Sequence, residues 1–285
     1  MRRWLIVLTA LLVAAGLTMG LAACGDDDDE GGAADTATAT SAAADLGLLE
    51  AGKLQVASDI PYAPFEFTEP GSTEAIGFDV DMVKAIAATP GIGVTDVEFI
   101  RQPFDTIILS VAQGRFDMSA SSFSITPERA KQIDFGDPYF VATQSLMVQK
   151  DSDITSLDDL QGKKIGAQRG TTGADLAATV QGAEVSRYEI IDDAFNALAA
   201  GRVDAVINDF AVSAYAAARR DDFKIVSRNP TIENYGLVFP KENPALRDAF
   251  NAGLAEIREN GTYDEIFRKW FGEDPPAPGE DPLAG

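Results

Sequence analysis

The residues best suited to chemistry lie in one contiguous stretch, from Phe116 to Arg129. It reads Phe-Asp-Met-Ser-Ala-Ser-Ser-Phe-Ser-Ile-Thr-Pro-Glu-Arg. Three hydroxyl residues, Ser121, Ser122 and Ser124, stand between a short strand and a proline that suits the first turn of a helix. Serine hydroxyls, turn N–H groups and an arginine fork make a receptor for a small carboxylate, and each charge-assisted bond contributes roughly 1.5–3 kcal/mol. The alternative is that the serines only form a turn and that Arg129 is a solvated surface charge.

The composition excludes several classes of function. The chain has 285 residues, of which 46% are hydrophobic, enough for one large domain or two smaller lobes. Its net charge of −22 argues against nucleic-acid binding, which needs a basic surface. Because the chain has no histidine and one cysteine, it has no Ser-His-Asp or Cys-His nucleophile and no His- or thiolate-ligated metal. We therefore expect no cofactor, no metal and no nucleic-acid partner.

The N-terminus has the features of a secretory signal. Arg2 and Arg3 precede an uncharged run over 4–24 that ends in small residues. Its last residues, Leu-Ala-Ala-Cys24, resemble the bacterial lipobox, which is cut before a cysteine that carries a diacylglyceryl group. The alternative is an uncleaved transmembrane helix, for which about 20 apolar residues suffice. We predict a signal peptide at 1–23, lipidation of Cys24 and attachment to the outer face of the cell membrane.

The segments that flank the globular part cannot build a core. Residues 24–45 contain four aspartates and a glutamate in a row, followed by Gly, Ala, Thr and Ser. This composition predicts a disordered, acidic linker behind the lipid anchor. Residues 273–285 contain Pro275-Pro276-Ala277-Pro278-Gly279 and predict a disordered tail.

Strands alternate with helices through the globular part, which indicates largely parallel sheets with right-handed crossovers. Asp79 and Asp81, at the start of the first helix, are interpreted as N-terminal charges or caps of that helix. The predicted strands are 53–57, 94–100, 116–118, 140–149, 163–167, 185–190, 204–207 and 235–239. The predicted helices lie around 80–87, 104–114, 156–160, 176–180, 192–200, 246–257 and 262–270.

The order of these elements predicts two α/β lobes. Residues 143–234 form one lobe, while 46–142 and 235–272 form the other, with extended crossovers near 140–145 and 232–237. Ligands of open α/β sheets bind at the carboxyl ends of strands. The serine stretch, Gly170-Thr171-Thr172 and Asp209 all follow strands, so we expect them to face one cleft.

Nine short pieces occur in the order known from one family. Together they resemble the extracellular solute-binding proteins of polar amino-acid ABC transporters, bacterial family 3. The resemblance covers about 50–272 and implies an α/β periplasmic-binding-protein fold, a two-lobed Venus flytrap with two hinge strands. The pieces are Asp59–Phe67, Gly77–Asp81, Ser124–Arg129, Ile133–Phe135, Asp137–Tyr139, Gly170–Gly173, Asp204–Asp209, Tyr235–Gly236 and Lys269–Phe271.

The resemblance implies a role for each residue that matches the family's ligand site. Arg129 pairs with the ligand α-carboxylate, helped by Ser124 and by the N–H of Thr171 or Thr172. Asp209 accepts from the α-ammonium group, with Ser122 assisting. A zwitterion is thus matched by one cation and one anion.

The choice of ligand side chain depends on the residues around it. Tyr62 and Phe104 match the aromatic positions that enclose the side chain, although both could be ordinary core residues. Asp59 favours a cationic side chain, so arginine, lysine or histidine, but glutamine binders also carry an aspartate there. Gln168 is expected at the same site. If Arg169 pointed into the cleft it would oppose a cationic ligand; otherwise it is a solvent-facing charge at the rim.

These roles imply a binding protein rather than an enzyme. It captures a polar, in particular basic, L-amino acid and delivers it to an ABC permease with a cytoplasmic ATPase, and we expect it to be a monomer. The alternative is a cleft enzyme of the same fold that resembles cyclohexadienyl or arogenate dehydratases. Such an enzyme needs a general acid in the cleft, for which Glu66 and Asp59 are the candidates.

Overall fold

A computed structural model describes residues 46–276, except for the side chains of 229–231. The strands are β1 (Lys53–Ser58), β2 (Phe67–Thr68), β3 (Ala75–Ile76), β4 (Asp96–Arg101), β5 (Met118–Ser119), β6 (Asp134–Phe135), β7 (Phe140–Gln149), β8 (Lys164–Gln168), β9 (Glu184–Tyr188), β10 (Ala205–Asp209), β11 (Phe223–Tyr235) and β12 (Val238–Phe239). The α-helices are α1 (Phe78–Ala87), α2 (Phe104–Ala112), α3 (Pro127–Ala130), α4 (Thr172–Thr179), α5 (Ile191–Ala199), α6 (Phe210–Ala217), α7 (Pro244–Glu259) and α8 (Thr262–Phe271), and a 3-10 helix spans Leu157–Leu160.

Lobe 1 is built on a five-stranded sheet in the order β4-β1-β5-β12-β6. β1 pairs in parallel with β4 and β5, while β12 pairs antiparallel with β5 and β6. Helix α1 packs against the closing helices α7 and α8, and its apolar side is buried with theirs. The closing helices therefore belong to lobe 1, although they follow lobe 2 in the chain.

Lobe 2 is built on a second five-stranded sheet in the order β11-β7-β10-β8-β9. β10, β8 and β9 are parallel, as expected where helices connect successive strands. β7 lies antiparallel between β10 and β11. Apolar side chains of β7, β8 and β10, such as Leu146, Ile165 and Ile207, are buried against α4.

Strands β7 and β11 connect the two lobes. They pair antiparallel from Phe140 opposite Tyr235 to Gln149 opposite Phe223. Residues at their lobe 1 end pack with lobe 1 aromatics, since the rings of Phe140 and Tyr235 both contact Phe65. These contacts attach the connecting strands to the aromatic core of lobe 1.

The sequence prediction differs from the structure in several places, and the short strands β2, β3 and β6 are among the elements it lacks. Helix α6 was not predicted, because its apolar residues are spread around the helix and form no stripe. β11 begins at Phe223 rather than near 232, since charged residues and Pro230 interrupt its strand pattern. The predicted strand 235–239 is in fact two strands, β11 ending at Tyr235 and β12 starting at Val238.

Several predictions concern residues outside the described range. The signal peptide at 1–23, lipidation of Cys24, the linker at 24–45 and the tail beyond 276 all lie there. The start of the predicted tail is described, and there Asp274 contacts Arg268. No helix within 46–276 combines the length and apolar character needed to cross a membrane.

Candidate ligand-binding cleft

A small cavity lined mostly by polar side chains lies between the lobes, at the carboxyl ends of their strands. From lobe 1 it receives residues that follow β1, β4 and β5, and from lobe 2 residues that end β8 and β10 or follow β8. Every residue predicted for the ligand site except Asp59 lines it, together with Ser121. The lining residues are Tyr62, Phe104, Ser121, Ser122, Ser124, Arg129, Gln168, Thr171, Thr172 and Asp209.

The serine stretch forms a tight turn after β5. Ser122 has φ of +50°, a left-handed conformation that no other non-glycine residue of the described chain adopts. Its N–H donates to Asp79 Oδ2 at 3.1 Å, and this bond stabilises the left-handed conformation from the side away from the cavity. Ser121 Oγ accepts from the N–H of Asp59 at 2.9 Å and donates to Glu66 Oε1 at 2.9 Å. The turn is therefore held by buried carboxylates on the side away from the cavity.

These contacts change the interpretation of Asp79. It does lie in the first turn of α1, but Gly77 caps the helix without a side-chain bond. Asp79 is fully buried and accepts from Tyr139 Oη at 2.7 Å as well as from Ser122. Its side chain therefore supports the serine turn rather than capping a helix.

Arg129 projects from α3 into the cavity as a half-buried cation. Its guanidinium donates to Ser124 O at 2.8 Å and, across the cleft, to Gly170 O at 3.0 Å. It lies 5.3 Å and 5.1 Å from the ring centroids of Phe104 and Phe123, which stack on each other. Burial lowers the pKa of Arg129, but a guanidinium remains charged in proteins. No carboxylate of the described residues forms an ion pair with it, so the guanidinium can accept an anionic ligand.

Asp209 ends β10 on the opposite wall and accepts three hydrogen bonds. Tyr62 Oη donates at 2.5 Å and Tyr235 Oη at 2.6 Å, and Gln144 Nε2 donates to the other oxygen. Burial, with the nearby charge of Glu233, raises the pKa of Asp209 to about 6, while these donors oppose the rise. Asp209 is therefore mostly ionised at neutral pH and suits an ammonium group.

Asp59 lies behind the cavity wall, where it bonds to Gln168 across the cleft. Gln168 Nε2 donates to Asp59 Oδ2 at 2.5 Å and to Glu189 O at 2.9 Å. Burial raises the pKa of Asp59 to about 7, and the bond from Gln168 and the charge of Arg101 oppose the rise. The Asp59–Gln168 bond therefore joins lobe 1 to lobe 2.

Thr171 and Thr172 open helix α4 at the cavity. Thr171 is the N-cap, and its Oγ1 accepts from the N–H of Ala174 at 3.1 Å. The first N–H groups of a helix have no partner within the helix and carry partial positive charge. This end of α4 therefore adds to the anion-binding character of the Arg129 side.

The sequence prediction missed Glu233, Gln144 and Tyr235 as site residues. Glu233 accepts from Ser124 Oγ at 2.5 Å, Thr172 Oγ1 at 2.7 Å and Gln144 Nε2 at 3.1 Å. All three missed residues lie on the connecting strands β7 and β11. One feature of the sequence could have identified them: they are polar side chains in segments that are predicted to cross between the lobes.

Arg169 lies at the rim of the cleft. Its side chain is half exposed and pairs with Asp105 of lobe 1, with Nη1 3.4 Å from Oδ2. Of the two positions expected for Arg169, inside the cleft or at its rim, the side chain takes the one at the rim. There its charge does not oppose a cationic ligand inside the cavity.

Two α/β lobes, two connecting strands and a polar cavity between the lobes define a Venus-flytrap binding protein. The family described as bacterial extracellular solute-binding proteins, family 3, matches residues 54–273. The chain belongs to this family. The α/β two-lobed fold predicted from the sequence is confirmed.

The chain is similar to named members of this class. It is 36% identical over 217 residues to an arginine-binding periplasmic protein of Mannheimia haemolytica, covering 74% of this chain and 88% of that one. It is 35% identical over 213 residues to an ABC transporter glutamine-binding protein of Bacillus subtilis, covering 74% and 78%. Among solved structures it is similar to an ancestral arginine-binding protein bound to arginine, with 39% identity, a TM-score of 0.74 and coverage of 78% and 99%.

Proposed function

We propose that this chain is the substrate-binding component of an amino-acid ABC importer and that it takes a polar, in particular basic, L-amino acid. The observation that carries the proposal is the pair of opposite charges on the two walls of one cavity. Arg129 is a half-buried cation with no ion-pair partner among the described residues, and Asp209 is a buried anion held by neutral donors. A cation and an anion that line one cavity suit a small zwitterion.

In the proposed pose the ligand α-carboxylate takes the Arg129 guanidinium, the Ser124 hydroxyl and the first N–H groups of α4 at Thr171 and Thr172. The α-ammonium group takes Asp209, with Ser122 assisting. To reach these partners, the ligand replaces some of the bonds that now cross the cleft, such as the bond from Tyr62 to Asp209. The ligand then connects both lobes, so it binds the closed state better and shifts the population towards it.

The side chain of the ligand lies between Tyr62 and Phe104 and points to Asp59 and Gln168. A guanidinium or ammonium group would stabilise the ionised form of Asp59, whose charge now has one side-chain donor. The rim position of Arg169 supports a basic ligand further. The names of similar proteins include arginine binders and a glutamine binder, so glutamine is the nearest competing ligand.

We propose that the protein binds without catalysis. Of the two candidate general acids, Glu66 is fully buried behind the serine turn, where it bonds to Ser121. Asp59 alone approaches the cleft, and it is bonded to Gln168. The similar proteins described above are named as binding proteins, which also favours this reading over the dehydratase.

The remaining assignments follow from the sequence and from the family. We propose that Cys24 carries the lipid anchor, that the linker holds the globular part outside the cell membrane, and that a monomer delivers its ligand to a permease with a cytoplasmic ATPase.

The test is isothermal titration of the full chain, stripped of ligand by unfolding and refolding, against individual L-amino acids. We expect one-to-one binding of arginine or lysine. Binding of glutamine alone would keep the transport function and correct the side-chain assignment. Absence of binding across the whole panel would overturn the amino-acid proposal, and turnover of prephenate or arogenate would then establish the dehydratase.

A further inference from the structure

Two buried carboxylates, Glu66 and Asp79, lie together behind the serine turn, outside the cavity. Both side chains are completely inaccessible to solvent. They are neighbours because the start of α1 bonds to the loop before β2, with the N–H of Asp79 donating to Phe65 O at 3.0 Å. Gly77, with φ of +139°, permits this approach, since a Cβ there would lie 2.0 Å from Phe65 O. The fold therefore brings two acids together at a site that no direct ligand contact requires.

No cation neutralises this pair. Neither Glu66 nor Asp79 forms an ion pair with any described residue. The titratable groups that face them are Asp59, Tyr62, Tyr139 and Tyr263. Arg101 interacts electrostatically with Asp59 and Arg258 with Tyr263, rather than with either member of the pair. Two adjacent carboxylates cannot both ionise in a dry interior without a cation, so the pair must hold a proton at neutral pH.

The hydrogen bonds indicate which of the two acids holds the proton. Asp79 accepts from two donors, Ser122 N–H and Tyr139 Oη, which stabilise its charged form. Glu66 accepts from one, Ser121 Oγ. Burial and the charge of Asp79 raise the pKa of Glu66 well above its ordinary range, while burial raises that of Asp79 to about 7. The proton therefore belongs on Glu66.

Polar atoms in this region without a partner are consistent with a proton there. Glu66 Oε2, Asp79 Oδ1 and Ser122 Oγ are buried and have no hydrogen-bond partner. A proton on Glu66 Oε2 turns that oxygen into a donor beside acceptors that lack one. An ionised Glu66 would instead leave only acceptors next to the Asp79 charge.

We propose that Glu66 and Asp79 are a positioning pair for the ligand site, sharing one proton that keeps the Ser121–Ser122 turn in its ligand-binding conformation. Glu66 fixes Ser121 and, through it, the backbone of Asp59, while Asp79 fixes the left-handed Ser122. Loss of the proton at alkaline pH sets two buried charges against each other behind the turn and weakens binding. The effect on ligand rests on the proposed function, whereas the shared proton does not.

The binding test is a titration of arginine into the full chain between pH 6 and pH 9.5, for wild type and Glu66→Gln. Glutamine cannot ionise and keeps the size of glutamate. The α-ammonium group of arginine itself loses protons at the alkaline end of this range, and this weakens binding equally in every variant. We expect wild-type affinity to fall more steeply than this common loss once the pair loses its proton, by up to about tenfold more per pH unit, and Glu66→Gln to show the common loss alone. Asp117→Asn is the matched control, since Asp117 is also buried in lobe 1 but bonds to the N–H groups of Leu49 and Gln55. It should keep the wild-type alkaline slope, and the same slope in Glu66→Gln would overturn the proposal.

A second test needs no ligand and separates the two proposals. Infrared spectra of the full chain at pH 7 should contain the carbonyl stretch of a protonated carboxylic acid that Glu66→Gln removes and Asp117→Asn retains.

The pH dependence of stability measures the same proton. Because the pKa of Glu66 is raised in the folded chain, the unfolded chain loses this proton first as pH rises. The wild-type unfolding free energy should therefore fall as pH rises above about 4.5, and the part of that fall that comes from Glu66 should be absent in Glu66→Gln. Absence of the Glu66-dependent band disproves the shared proton even if arginine binds. Presence of the band with no binding of any amino acid retains the proton and removes the proposed function.

Discussion

Two carboxylates in the cleft, Asp209 and Asp59, are buried to a similar degree but are supported differently. Asp209 accepts from two tyrosine hydroxyls and an amide. Asp59 accepts from one side-chain amide, that of Gln168. Burial raises the pKa of Asp209 to about 6 and that of Asp59 to about 7. The carboxylate with more donors keeps its charge more easily.

This difference fits the two proposed tasks. Every α-amino acid has the same ammonium group, so a site for it can be arranged in advance with donors that hold Asp209 ionised. Side chains differ between amino acids, and Asp59 has fewer fixed partners. A cationic side chain therefore contributes more to the stabilisation of the Asp59 charge than an amide does. Asp209 is expected to set affinity for all ligands, and Asp59 to set the choice among them.

The largest expected effect is that of Asp209→Asn. An amide keeps the shape but removes the charge opposite the ammonium group, and the loss of one member of a desolvated charge pair costs about 2–5 kcal/mol. We expect affinity for every bound amino acid to fall by at least about 30-fold, measured by titration calorimetry. Asp193→Asn, an exposed substitution elsewhere in lobe 2, is the control. A loss confined to basic ligands would contradict the general role of Asp209.

The lobe 1 part of the candidate site can be proposed from the sequence because that part is nearly continuous. Ser122, Ser124 and Arg129 lie within eight positions, and their residue types indicate carboxylate binding directly. Asp209 was found because it ends a predicted strand at the expected edge of the sheet. These positions depend on local order along the chain, which sequence patterns describe.

The missed residues depend on contacts between distant segments. Tyr235 and Glu233 lie on β11, and Gln144 lies on β7, so they meet Asp209 only when the two strands pair and the lobes approach. For Glu66 the sequence offers only the general-acid alternative. Its pairing with Asp79 is not visible, because Asp79 lies in the first turn of a helix, where an acidic residue is expected in any case. Local sequence patterns cannot indicate which polar side chains from distant segments will contact each other in the folded protein.

A more selective effect is expected for Asp59→Asn. Removing this charge should weaken arginine binding by about 30-fold, since a charge-assisted bond contributes about 2 kcal/mol, and should change glutamine binding by less than about threefold. Competition between the two amino acids in one titration measures the ratio directly. Equal losses for both ligands would give Asp59 the same task as Asp209 and remove the contrast between them.

The pH dependence of arginine binding should show the two carboxylates separately. Protonation removes the charge that attracts the ligand, so affinity should fall as pH falls through about 7 for Asp59 and about 6 for Asp209. We expect a loss on the order of tenfold between pH 7.5 and pH 5.5, and release of protons when arginine binds near pH 6.5. Calorimetry in buffers of different ionisation enthalpy measures that release.

Asp59→Asn again provides the comparison for this pH profile. The variant should lose the step near pH 7 and retain the one near pH 6. A flat profile for the wild type between pH 5.5 and pH 7.5 would mean that neither acid changes its protonation when the ligand binds.

The smallest expected effect is that of Arg169→Gln, and its sign is informative. Arg169 joins lobe 2 to Asp105 of lobe 1 at the half-exposed rim, and exposed ion pairs contribute little and are screened by salt. We expect arginine affinity to fall by no more than about fivefold at low salt and to be unchanged at high salt. Asp105→Asn should have the same effect, and the double variant should lose no more than either single one. An increase in arginine affinity would instead place a repulsive charge inside the cavity, where it would offset Asp59 and favour glutamine as the ligand.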